Sequence, residues 1–251
     1  MRISIFLCTL LLLFAQNVKA TNNSDKHIII YIALSGEGKK QITNVVKKLN
    51  LQDKVHIIYG GVGKINSSYG LTKEIIKLKS AGIKIGRIIN LGGVGALNMK
   101  NFKSGELVNC DRFLQIDIHQ SAVGYPAGIT RKVSDNDDDM VLMLKNREDE
   151  FVKKLNLKNA ICCTSDLFGD EKSHIDKINL PQEKKDMCVL EMEGYALEKV
   201  AAREDIHFVA IKYVVNGAED GAKWKNILHN TNDLGDNLSK FLHDYLQYYY
   251  Q

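Results

Sequence analysis

Six short, nearly unbroken runs of apolar residues constrain this chain more than anything else in it. They are HIIIYIAL (27–34), KVHIIYGG (54–61), GRIINLGG (86–93), NAICCTS (159–165), MCVLEM (187–192) and HFVAIKYVV (207–215). Runs of this length, rich in Ile and Val and without polar alternation, belong to strands covered on both faces. Helical patterns separate them, at about 38–49, 65–80, 136–155, 193–204 and 223–248. The alternation predicts an α/β fold, a three-layer sandwich around a central, mostly parallel sheet. The stretch GELVNCDRFLQIDI (105–118) holds two strand-like pieces with no helix between them, so the sheet is expected to be mixed.

The first twenty residues, MRISIFLCTLLLLFAQNVKA, set one basic residue before an apolar stretch from Ile3 to Ala15 and close on Val18-Lys19-Ala20. That is the pattern of a secretory signal peptide. Residues 1–20 are therefore read as a leader and 21–251 as one domain, exported to the periplasm or secreted. The alternative use of the same segment is an uncleaved anchor. Nothing after residue 20 approaches the ~20 apolar residues of a spanning helix, so no membrane partner is expected once the leader is removed. Loss of Arg2 and Lys19 takes the net charge from +4 to +2. With both signs interspersed and no basic block, nucleic acid is not an expected partner.

Cys110, Cys162, Cys163 and Cys188 remain after the leader. An even count in an exported chain permits disulfides. All four nevertheless sit in apolar strand-like segments of a domain large enough not to need staples, so buried free thiols are expected. No CxxC or HExxH pattern occurs, and no metal or cofactor is expected.

In open α/β sheets, ligands gather where strands end. The stretch YGGVGKINSS (59–68) leads from a strand into a helix and can present backbone N–H groups to an anion or a sugar, or can serve as a tight turn. It lacks the residues of a P-loop or of GxGxxG. NLGGVGAL (90–97) repeats the device, and two such turns line a cleft more readily than one. In TSDLF (164–168), Phe168 can stack on a flat heterocycle or fill the core, and Asp166 can cap its turn. In VLEMEGYAL (189–197), Glu191 and Glu193 flank Met192 at a strand end. One carboxylate there is an ordinary helix N-terminal preference, but two are less readily so explained. Such a carboxylate suits two vicinal hydroxyls, as in a ribose. Glu37, after the first strand, can act as a base for water or as a first-turn acid. Asn216, beyond the last strand, can face a ligand or build a turn.

Together these segments resemble the purine nucleoside and uridine phosphorylase superfamily, and within it most closely the 5′-methylthioadenosine/S-adenosylhomocysteine nucleosidases. The resemblance runs from about Tyr31 to the last helix. It implies a nucleoside phosphorylase-like fold, a small-molecule nucleoside as partner, no cofactor and a homodimer. It further implies that Glu37 positions and deprotonates water, Glu193 holds the ribose hydroxyls with Glu191 in support, and Met192 packs on the sugar. Phe168 would stack on the base, and Gly63 and Gly93 would line the substrate. Asn216 stands where the nucleosidases carry a catalytic Asp, and Gly93 where they carry Ser. Asn90-Leu91 stands near where phosphorylases carry a phosphate-gripping Arg. The expectation is hydrolysis of the N-glycosidic bond of a purine nucleoside or thionucleoside. The alternatives are a catalytically weak nucleoside-binding or storage protein and, third, a phosphorylase.

Overall fold

A computed structural model describes residues 23–131, 140, 141, 143–167, 171–217 and 231–251. The leader at 1–20 lies outside the described residues, as do Phe168 and residues 218–230. In chain order the elements are β1 (His27–Ile32), α1 (Lys39–Lys48), β2 (Val55–Tyr59), α2 (Lys64–Ser80), β3 (Ile85–Ala96) and β4 (Leu107–Gln115). A 3-10 turn at Ser121–Val123 and the two-residue strands β5 (Thr130–Arg131), β6 (Met140–Val141) and β7 (Leu144–Lys145) follow. Then come α3 (Glu150–Lys154), β8 (Lys158–Thr164), α4 (Glu171–Asp176), α5 (Gln182–Lys185), β9 (Cys188–Glu191), α6 (Gly194–Arg203), β10 (His207–Gly217) and α7 (Thr231–Tyr250).

The apolar runs are unbroken because both faces of the sheet are covered. Ile28, Ile30 and Ile32 enter one cluster with Ile42 and Val46 of α1 and Leu238, Leu242 and Tyr245 of α7. Ile29 and Tyr31 enter the opposite one with Leu71 and Ile75 of α2 and Leu197 and Ala201 of α6. Each buried Ile is worth about 1.5–3 kcal/mol over an exposed one, so both faces hold β1 in place. These are the three expected layers.

β3 organises the sheet. One edge is parallel to β10. The other is parallel to β1 as far as Asn90, which faces Tyr31, and antiparallel to β9 from Gly95, which faces Leu190. Positions 91–94 of that edge thus lie where β1 has ended and β9 has not begun. β9, β8 and β4 continue in parallel, and β4 returns antiparallel to β10. Strands β3, β9, β8, β4 and β10 therefore close into a ring, with β1 and β2 as an open extension.

Three expectations are corrected. Of the helix expected at 136–155, residues 136–139 and 142 lie outside the described residues and the described ones hold only α3, since Asp149 caps a helix starting at Glu150 while Leu144 and Lys145 pair with β4. The two strand pieces at 105–118 are one continuous strand, β4. The cysteines are not free thiols: Cys110 is joined to Cys162 and Cys163 to Cys188. They are buried as expected. However, consecutive residues of a strand point to opposite faces, so Cys162 and Cys163 each meet the cysteine that shares their own face, Cys110 on β4 and Cys188 on β9, at Cα separations of 5.7 and 5.8 Å. Those spacings suit a disulfide.

Candidate active site

The break in strand pairing along β3 is where the candidate residues gather. Glu37, in the loop after β1, accepts the Leu34 N–H and the Gly93 N–H, each at 3.0 Å. A Cβ on Gly92 would stand 3.1 Å from Glu37 Oε1, so the glycine permits this approach. One on Gly93 would stand 3.0 Å from Leu234 Cδ1 and Val215 Cγ2, so a side chain there requires those two to move.

The two glutamates of VLEMEGYAL divide their work. Glu191, the last residue of β9, accepts the Glu193 N–H at 2.8 Å and the Gly194 N–H at 2.5 Å, capping α6. Its other oxygen accepts from the Thr164 hydroxyl, which itself accepts the Tyr195 N–H at 2.9 Å. Glu191 is thus consumed by the protein and holds the strand-to-helix turn. Glu193 occupies the N-cap position of α6 without capping it. Its carboxylate instead crosses to the head of α2 and accepts the Gly63 N–H at 3.0 Å. Gly63 has φ +91 and lies 3.1 Å, measured from a hypothetical Cβ, from Asp166 Oδ1, so a side chain is unfavourable there on both counts. Met192 lies half-buried in the turn between the two carboxylates.

Sequence reasoning passed over Lys212. It is 2% exposed, on β10 beside Gly92, with Nζ 3.8 Å from Glu191 Oε2. The signal was present: it is the one charged residue inside HFVAIKYVV, and a buried lysine needs anionic partners. Three carboxylates, Glu37, Glu191 and Glu193, surround this cation. Burial, then the charge of Glu191, pushes Glu193 up to about 7, against the pull of Lys212 and the Gly63 N–H. Burial also raises Glu37, opposed by its two N–H donors and Lys212. Tyr31, whose hydroxyl donates to the Gly61 carbonyl at 2.8 Å, is raised by burial and by the charges of both Glu193 and Glu37. Glu37 and Glu193 therefore share one electrostatic neighbourhood, although 156 positions separate them in the chain.

Asn216 sits half-buried near the end of β10, opposite Gly95 and just past a register shift after Val214. Such a bulge re-aims the side chains that follow it. Glu219 and Asp220, which could replace Asn216 if the loop were shifted, lie outside the described residues, as does Phe168. The site thus offers two carboxylates with raised affinity for protons, a buried cation and a rim of glycine turns, suited to polar hydroxyl-bearing ligands and to proton transfer.

The sequence profile of the phosphorylase superfamily matches residues 30–247. No curated protein sequence matches the chain. Among solved structures, the Helicobacter pylori 5′-methylthioadenosine/S-adenosylhomocysteine nucleosidase with butyl-thio-DADMe-Immucillin-A superposes with a TM-score of 0.67 at 15% identity, over 88% of this chain and 98% of that one. A putative nucleosidase of the same kind from Borrelia burgdorferi, bound to adenine, gives 0.67 at 20% identity, over 88% and 99%. The futalosine hydrolase of Helicobacter pylori gives 0.65 at 16%, over 87% and 96%.

Proposed function

The chain belongs to the phosphorylase superfamily, and within it we propose that this protein hydrolyses the N-glycosidic bond of a purine nucleoside or thionucleoside, releasing base and free sugar. The observation that carries the choice of water over phosphate is the occupancy of the backbone N–H cradles. At the strand ends these donors already face the chain's own carboxylates: Leu34 and Gly93 face Glu37, Gly63 faces Glu193, and Glu193 and Gly194 face Glu191. A phosphate would have to enter beside three carboxylates, two of them buried, with Lys212 as their shared cation, and with Asn90-Leu91 where a phosphate-gripping Arg would be needed. Water meets no such repulsion.

In this mechanism Glu193 accepts hydrogen bonds from the ribose hydroxyls, and Met192 packs on the sugar. As the glycosidic bond stretches, positive charge develops on the sugar, and the surplus of carboxylates stabilises it. Glu37 orients the attacking water and takes its proton; its raised proton affinity suits that task. Asn216 can only hydrogen-bond the departing base, because an amide has no proton to give; the base leaves with the bonding electron pair and takes its proton from water. Asn216, with Gly93 in place of Ser, favours a second reading: a nucleoside-binding protein of weak activity. Both versions are proposed for an exported homodimer, and the two disulfides support an oxidising compartment.

A screen of adenosine, inosine, 5′-methylthioadenosine and S-adenosylhomocysteine, with and without phosphate, tests the assignment. Phosphate-independent release of base supports hydrolysis, and binding without release supports the second reading. Strict dependence on phosphate overturns both.

A further inference from the structure

Gly235 is the fifth residue of α7 and lies inside a regular helix, although glycine is the poorest helix former after proline. What it touches explains its presence. A Cβ built on Gly235 would stand 2.9 Å from the Cα of Gly38 and 2.9 Å from Gln41 Cδ, and one built on Gly38 would stand 2.7 Å from the Cα of Gly235. Gln41 is a long side chain that can swing aside, but a backbone Cα cannot. The two glycines therefore let α7 cross the N-cap of α1 with main chain against main chain. Gly38 also has φ +94, in the left-handed region that favours glycine. Both residues are buried.

Such a crossing could serve helix packing alone, but its position argues for more. The apolar packing of α1 on α7 is supplied further along, by Ile42 and Val46 clustered with Leu238, Leu242 and Tyr245. The glycine contact instead falls one residue from Glu37. The Glu37 N–H closes a turn on the Leu34 carbonyl at 3.0 Å, and the Glu37 carboxylate grips the Leu34 and Gly93 N–H groups. Leu234, the residue before Gly235, lies over Gly93. Two consecutive residues of α7 thus bear on the backbone beside Glu37 and on the backbone that its carboxylate grips. Gly36, on the other side of Glu37, shows the contrast, since a Cβ there meets nothing within 4 Å. Resting on the nucleosidase assignment above, we propose that Gly235 is a positioning residue for the water-activating carboxylate: its lack of a side chain lets α7 pin the turn 34–38, so that Glu37 is held against β3.

Release of base from 5′-methylthioadenosine is measured for Gly235→Ala, Gly36→Ala and Glu37→Gln, and for Gly235→Ala combined with Glu37→Gln. Gly235→Ala is expected to lower kcat about tenfold or more with KM within about threefold, because the added methyl group displaces the base for water and not the groups that hold the sugar. Gly36→Ala, which fills open space, should keep kcat within about twofold of the unaltered protein. On the Glu37→Gln background, Gly235→Ala should cost less than about twofold more, since a residue that acts through Glu37 loses its effect once that carboxylate is gone. If Gly235→Ala melts below the assay temperature, Leu234→Ala, which removes the side chain over Gly93 without adding an atom to the crossing, should give the same dependence on Glu37. Unchanged kcat in Gly235→Ala, a loss shared by Gly36→Ala, a change confined to KM, or an equal loss on both backgrounds would each overturn the role of Gly235. Failure of the unaltered protein to release base, or full activity of Glu37→Gln, would instead overturn the assignment on which that role rests.

Discussion

The two ends of the sheet both bury carboxylates against cations, with opposite results. Near the starts of β3 and β10, Asp149 caps α3 through the N–H groups of Phe151 and Val152. Its second oxygen accepts the Tyr245 hydroxyl at 2.8 Å and lies 3.6 Å from Arg87 Nε and 3.5 Å from His207 Nε2. Burial, reinforced by Arg87, pushes His207 down to about 4, so at neutral pH it is uncharged and its approach to Asp149 is no ion pair. One fixed negative charge thus meets one fixed positive charge. At the opposite end Glu37, Glu191 and Glu193 share Lys212. A balanced cluster holds elements together; a surplus of one sign beside a gap in strand pairing destabilises the fold and persists where chemistry uses it.

If that contrast is sound, the largest effects should separate cleanly into activity at one end and stability at the other. Glu37→Gln is expected to slow base release by about 10² to 10⁴ without lowering the melting temperature, as for loss of a general base. Steady-state rates alongside thermal melts check this. Asp149→Ala should do the reverse, costing about 3 kcal/mol because the Arg87 charge, the Tyr245 hydroxyl and the α3 cap all lose their partner. Urea titration measures the loss, and activity per folded molecule should be unchanged.

The same contrast predicts opposing pH slopes. Glu193 titrates near 7 in the fold against an ordinary value of 4.5, so the folded state holds the extra proton and stability falls as pH rises between about 4.5 and 7. His207, at about 4 against 6.5, contributes stability that is present above 6.5 and lost as pH falls toward 4. In the unaltered protein these two slopes oppose one another, and Glu198, pushed by burial up to about 8, adds to the falling one. Relative to the unaltered protein, Glu193→Gln should tilt the stability profile upward with rising pH and His207→Phe should tilt it downward, each by on the order of 1–2 kcal/mol across the window. Denaturation at several pH values that shows identical profiles for both variants would refute the opposition. The smallest effect expected is for Asn216→Asp. If residue 216 faces the base, restoring an acid should raise adenine-nucleoside turnover by up to about tenfold. No change in rate or base preference would place it outside the site.

Much of this was legible in the chain itself, though unevenly. The layers followed from apolar runs, because burial on both faces of β1 leaves its mark on every residue of HIIIYI. Glu193 and Glu37 could be singled out because carboxylates at strand ends are conspicuous. Lys212 could be noticed as the lone charge in an apolar run, but not given its partners, which appear only once β9 and the loop after β1 are placed beside it. The helix expected at 136–155 failed for a similar reason: pairing with β4 overrode the local pattern around Leu144. The free thiols failed because size and composition argue about need, whereas a disulfide answers to the distance between strands.

By itself, then, the sequence determined which segments are buried, their alternation, and which residue types stand at the strand ends, because these are local properties with a period of two or 3.6 residues. Only the tertiary structure decided that Glu191 caps a helix while Glu193 reaches Gly63, that one buried lysine serves three carboxylates, and that four cysteines pair. Those outcomes depend on which strand edges lie side by side, and β9 running antiparallel to the end of β3 is a long-range fact that no local pattern records.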